Sequence, residues 1–94
     1  MIKEGESQLS SMIESALGVL NRHLSHKPES VIGVVGSDDG WIVIVEALER
    51  KGVPDTQDIL GRYEVKLDTH AKVLGWKQTM VRRRSDLYLE ERES

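Results

Sequence analysis

The sequence contains no cysteine. This excludes disulfides, thiolate metal sites and cysteine nucleophiles, and it fits a reducing compartment. Long apolar runs are lacking too: the longest, Trp41 to Val45, is far short of the roughly 20 residues a membrane helix requires. The opening residues, Met1-Ile2-Lys3-Glu4-Gly5-Glu6, do not follow the basic-then-apolar layout of a secretory signal. No membrane contact is expected, and the cytoplasm is the expected location. Nor does charge of one sign dominate. Thirteen Lys and Arg stand against sixteen Asp and Glu, and a net charge of −3 predicts neither a halophilic surface nor a polyanionic partner. There is no internal repeat.

Ninety-four residues are enough for one domain and too few for two. The expectation is a single domain over 1–94, with its core between about residues 7 and 84 and a charged tail from 85 to 94. Clustered apolar residues argue for folding over disorder.

Leu9, Met12, Ile13, Ala16, Leu17, Leu20 and Leu24 recur at the three- and four-residue spacing that lines one face of an α-helix. The spacing predicts a helix over about 7–25. Ser7, or Ser11 with Glu14 as a capping box, would start it, and Pro28 lies just past its end. Val31-Ile32-Gly33-Val34-Val35 and Trp41-Ile42-Val43-Ile44-Val45 flank Ser37-Asp38-Asp39-Gly40, a strong hairpin signal. A two-residue Asp39-Gly40 turn would put Val34 opposite Val45 and Val35 opposite Ile44. Trp41, Val43, Val45 and Ala47 then share a face with Ile32 and Val34. Ile42, Ile44, Glu46 and Leu48 share the other with Val31 and Val35.

Pro54 to Gly61 reads as one helical turn, with Asp55 and Thr56 as caps and Gly61 at the exit. Tyr63, Val65 and Leu67 alternate with charged residues, as in a half-exposed strand. After a turn at Asp68–Lys72, Val73 to about Arg83 reads as a fourth strand, with Leu74, Trp76 and Met80 on one face. In the tail, Leu87, Tyr88 and Leu89 form a small apolar hook. The expected fold class is α+β: an N-terminal amphipathic helix packed on a four-stranded antiparallel sheet, in the order α-β-β-short helix-β-β. One helix covers one sheet face. The first hairpin is apolar on both faces, so the second face calls for a homodimer or a partner protein.

Four stretches carry a family resemblance: Asp38-Asp39-Gly40-Trp41, Val45-Glu46-Ala47-Leu48-Glu49, Val53-Pro54-Asp55-Thr56-Gln57-Asp58-Ile59-Leu60, and Tyr63-Glu64-Val65-Lys66-Leu67-Asp68. With the basic end Val81-Arg82-Arg83-Arg84, and in this order, residues 29–84 resemble the gas-vesicle protein O family. That family usually has a glycine in the turn after the Leu-Asp, where this chain has Ala71. The resemblance implies an accessory role in building gas vesicles, hollow protein-walled compartments that give microbes buoyancy. It implies other gas-vesicle accessory proteins and the shell protein as partners, and no enzyme activity or cofactor.

The residues offer little chemistry of their own. His23 and His26 sit at a helix end with no carboxylate or thiolate to complete a metal site, and His70 is distant, so no metal is expected. The pairs Asp38/Asp39 and Asp55/Asp58 fit turns and caps, with no nucleophile, base or oxyanion motif beside them, so no catalysis is expected. Lys77 and Arg82-Arg83-Arg84 near Trp76 are the candidate phosphate contacts of an alternative reading, a nucleic-acid-binding regulator of gas-vesicle gene expression. A net-acidic chain without a nucleic-acid motif argues against it. Candidate partner-binding residues are Trp41, Ile42, Ile44, Glu46, Leu48, Arg82, Arg83 and Arg84. Glu46 is expected either exposed on the uncovered face or paired with an arginine, because a lone buried carboxylate is costly.

Overall fold

The periodic apolar residues of the N-terminal segment form α1 (Ile2–His23), and the β-branched segments form β1 (Pro28–Ser37), β2 (Gly40–Arg50), β3 (Ile59–Asp68) and β4 (Val73–Arg83). These elements are seen in a computed structural model that describes residues 2–86, with side chains from residue 8 onward. The strands lie in the order β1-β2-β3-β4, every neighbouring pair antiparallel. This is the expected helix on a four-stranded sheet. The Leu87-Tyr88-Leu89 hook lies outside the described residues.

The helix brings Met12, Ala16, Val19 and Leu20 onto Val43, Val45 and Ala47 of β2 and Tyr63, Val65 and Leu67 of β3. The Met, Val and Leu side chains among them each contribute about 1.5–3 kcal/mol when fully buried. Trp41, Val31, Val34 and Val73 pack at its margin. The helix begins five residues before the expected start, so Ser7 and Ser11 lie inside it rather than at its N-terminus. It ends at His23, whose ring nitrogen Nδ1 donates to the Val19 carbonyl at 2.8 Å.

Three local readings are corrected. The β1–β2 turn is centred on Asp38-Asp39, with Ser37 opposite Gly40, Val34 opposite Val43 and Val35 opposite Ile42. A two-residue shift preserves faces, because side chains alternate with period two. An irregularity between Val31 and Gly33 then moves Val31 to the helix side, opposite Val45, and leaves Ile32 exposed. Gly40 is required by proximity: a Cβ there would collide with the Leu67 carbonyl of β3.

The second correction concerns the segment between β2 and β3. Only Asp55–Gln57 is helical, as a 3-10 turn with no side-chain cap, and Gly61 lies within β3. Asp55 instead pairs with Lys51 at 3.3 Å. The third concerns β4. Shifts near Leu74 and Thr79 interrupt its alternation, so Trp76 pairs with Val65 on the helix side and Met80 with Arg62 on the other. Bulges insert an unpaired residue and so reverse the facing of everything beyond them.

Candidate functional site

Since the helix takes the Trp41, Val43, Val45 and Ala47 side, the opposite face carries Ile42, Ile44, Glu46 and Leu48 of β2. Beside them stand Leu60, Arg62, Glu64 and Lys66 of β3. From the edges it receives Gly33 and Val35 of β1, and Gly75, Lys77, Met80 and Arg82 of β4. No helix or strand among the described residues lies against this face. It divides into two ends with different chemistry.

One end is closed by ion pairs. Glu46 is 5% exposed and Arg82 8%, and the guanidinium grips the carboxylate with both arms: Nη2 donates to Oε1 at 2.8 Å and Nε to Oε2 at 2.9 Å. Arg62 adds a third bond to Oε2 at 3.1 Å. Burial alone would raise the Glu46 carboxyl, but the Arg82 and then Arg62 hydrogen bonds and charges outweigh it and hold the group below its ordinary value of 4.5. Arg82 also donates from Nη1 toward the carbonyls of Arg83 and Arg84, folding the end of β4 back over this pair.

Beside it, Asp58 accepts from the Gly52 amide at 2.7 Å and from Arg84 at 3.1 Å, and Arg84 also reaches Glu29 at 2.9 Å. The Gly52 amide bond, ahead of the Arg84 contact, holds the Asp58 carboxyl below its usual range despite burial. The Glu29 bonds in turn raise Arg84 further. Backbone bonds from Arg84 to the Asp58 carbonyl and from Ser85 to that of Thr56 complete the clamp. Thus Asp58 organises the Pro-Asp-Thr segment, closing the loop between β2 and β3 onto the end of β4. Sequence reasoning made Asp55 and Thr56 helix caps and missed this role of Asp58; the missed signal is that, of the three, Asp58 immediately precedes a strand. Among the described residues, Arg83 pairs with Asp86, at 3.9 Å.

Asp68 plays the same part at the other hairpin. Its Oδ1 accepts from the amides of Lys72 and His70, at 3.0 and 2.8 Å, which lowers its carboxyl pKa. Ala71 stands in the left-handed region, φ 65°, which favours glycine. On the helix side, Gly61 leaves room for a polar cluster in which Tyr63 donates to Glu49 and Gln78 bonds both. Burial and then the Glu49 bond push the Tyr63 phenol up to about 12. Its ring and that of His23 both lie against Trp76, with centroids 5.9 and 5.6 Å apart.

The other end of the open face is unoccupied by such bonds. Ile42 and Ile44 are half-buried, and Val35 is 48% exposed. A shallow groove of about 410 Å³ runs over Ile42, Glu64, Lys66, Gly75 and Lys77. Lys66 makes one long contact with Asp39, at 3.6 Å. Of the expected contact residues, Ile42, Ile44 and Leu48 therefore share this face with the buried Glu46–Arg82 pair, while Trp41 lies at the margin of the helix-covered core. No cluster of three metal-ligating side chains exists among the described residues. No helix among them is long and apolar enough to cross a membrane, which leaves β-barrels unaddressed.

The fold is thus a helix-covered sheet closed at one end by ion clamps, with a partly apolar face left bare among the described residues. Residues 2–87 match the family model described as gas vesicle synthesis protein GvpO, and the chain belongs to that family. It is 45% identical over 64 residues to gas vesicle protein O1 of Halobacterium salinarum, covering 68% of this chain and 54% of that protein. It is 43% identical to gas vesicle protein O of Haloferax mediterranei, over 68% of this chain and 46% of the relative. A Streptomyces gas vesicle protein O is 44% identical over 53% of this chain and 39% of its own length. The matched stretch thus spans about half or less of each relative. No solved structure matches the chain significantly.

Proposed function

We propose that this protein is a non-catalytic accessory factor in gas-vesicle assembly, working in the cytoplasm through contacts with other gas-vesicle proteins on the open sheet face. Family membership supplies the process. The observation that carries the mode of action is the bare patch of Val35, Ile42 and Ile44 on strands whose other side is already filled by α1. Contiguous apolar surface of this kind commonly marks a contact site, and central anchors contribute about 2 kcal/mol or more each.

The regulator reading has less support, because Arg82 and Arg84 spend their donors on Glu46, Asp58 and Glu29. Phosphate binding through them would first break these bonds.

The test is deletion of the gene in a vesicle-forming host. Vesicles should be lost, then restored by the wild type and not by Ile44→Asp, a variant that keeps its circular dichroism because Ile44 faces away from α1. Normal vesicles in the deletion strain would refute the assembly role, and full rescue by Ile44→Asp would remove the open face from it.

A further inference from the structure

The open face contains two glycines that internal packing does not explain. Gly33 of β1 lies opposite Ile44, and Gly75 of β4 opposite Lys66. A Cβ at either would meet nothing within 4 Å, and neither has a left-handed φ. Contrast Gly40 and Gly61, where an added Cβ would strike backbone or the Glu49 carboxylate. Glycine within a strand weakens it and marks either a bulge or a place where another chain comes close; Gly33 and Gly75 adjoin the bulges at Ile32 and Leu74, but neither takes the left-handed φ that would make a bulge require glycine. Gly33 lies beside Ile44 at the β1 edge, and Gly75 lies beyond Lys66 on the β4 side of the shallow groove over Ile42 and Glu64.

The chemistry of the face is asymmetric. Val35, Ile42 and Ile44 make the β1–β2 half apolar, while Glu64, Lys66 and Lys77 make the β3–β4 half charged. Counting the closed end, the face carries four basic side chains, Arg62, Lys66, Lys77 and Arg82, against two carboxylates, Glu46 and Glu64, on a chain whose net charge is −3. Strands spaced about 4.8 Å apart make two strands about as wide as one helix, roughly 10 Å. A second sheet would need apolar side chains across all four strands, which β3 and β4 do not supply.

We propose that this end of the face is a docking groove for an acidic amphipathic helix of another protein. Its apolar stripe sits on Val35, Ile42 and Ile44 with close approach over Gly33. Its carboxylates reach across Gly75 to Lys66 and Lys77. This rests on the functional reading above and names the partner's chemistry.

The glycines give a test in which folding and binding separate. Gly33→Val/Gly75→Val adds β-branched side chains into open space, so the purified variant melts at or above the wild-type temperature while the groove is filled. Lys66→Glu/Lys77→Glu reverses the charge. In the deletion strain, each double variant should yield about tenfold fewer vesicles than the wild type, the scale of losing one interface anchor. Leu74→Thr, at an exposed bulge outside the groove, should rescue fully.

The absence of native cysteine makes Gly75→Cys a unique attachment point. A benzophenone placed there and irradiated in vesicle-forming cells should link to a peptide of a different protein, with apolar residues at helical spacing and a net negative charge. Full rescue by the glycine double variant overturns the groove. So does a crosslink to residues 87–94 of the same chain, to a second copy, to nucleic acid, or to a peptide without acidic character. Loss of vesicles on deletion tests the assembly role separately, and the crosslink identifies the occupant whichever way that result falls.

Discussion

The two faces of the sheet are built from the same four strands and solve the burial problem differently. The helix side is closed by shape: Val43, Val45, Val65 and Leu67 are wholly buried under Ala16 and Leu20. The opposite side closes only one end, and does so with charge, through Arg82, Glu46 and Arg62 beside Asp58 and Arg84. Apolar packing is non-directional and tolerates modest change, whereas a buried ion pair fails badly when one partner is removed. The polar residues carrying the family resemblance hold the scaffold, while the side chains left open to solvent on this face are the plainer ones, Val35, Ile42 and Ile44.

The largest effect should come from the charged closure. Arg82→Ala strands Glu46 in a site it reaches at 5% exposure and should destabilise by about 3–5 kcal/mol in denaturant titration. Replacing Glu46 and Arg82 together by leucines should cost much less than that. If the single variant costs under about 1 kcal/mol, the pair is a surface bridge and the contrast between the faces fails.

The next test compares the faces directly. Val45→Ala removes two methyl equivalents from the packed side and should cost about 2 kcal/mol, while Ile44→Ala on the open side should cost clearly less. Equal losses would mean that something covers Ile44 in the free protein.

Acid should loosen the closed end before the packed side. Glu46 and Asp58 both have depressed carboxyl pKa values in the fold. The unfolded chain therefore takes up protons first, and the stability these groups contribute is present above their ordinary values, 4.5 and 3.8, and is lost as pH falls below them. Glu46→Gln should flatten that acid limb in melts recorded across pH. Tyr63 acts oppositely: raised to about 12 from 10.0, it stays neutral in the fold while the unfolded chain ionises, so stability falls as pH rises above 10.0. Tyr63→Phe should flatten the alkaline limb.

The smallest effect is expected at the β3–β4 turn. Ala71→Gly relieves a left-handed residue at the loss of a half-buried methyl and should stabilise by up to about 1 kcal/mol in the same titrations. A destabilisation would show that the Ala71 methyl matters more to the margin of the core than its φ.

The set of elements and the two-sidedness of the first hairpin were legible in the residues alone. Both follow from local periodicity: 3.6 residues from Leu9 to Leu24, and β-branched runs about Ser37–Gly40. Tertiary structure decided the rest. The bulge at Ile32 exchanged it with Val31, and those at Leu74 and Thr79 separated Trp76 from Met80, because register depends on what each strand meets across the ladder. It also took the capping role from Asp55 and Thr56 and gave closure of the loop to Asp58, whose partner Arg84 lies 26 residues away and itself reaches Glu29, 55 residues from it in the chain. Glu46 was legible as a residue needing an arginine; that Arg82 would supply it from 36 residues away was not. Nor could spacing choose which face α1 would cover, since both sides of β2 are apolar and only the three-dimensional fit of Ala16 and Leu20 over Val43 and Val65 separates them.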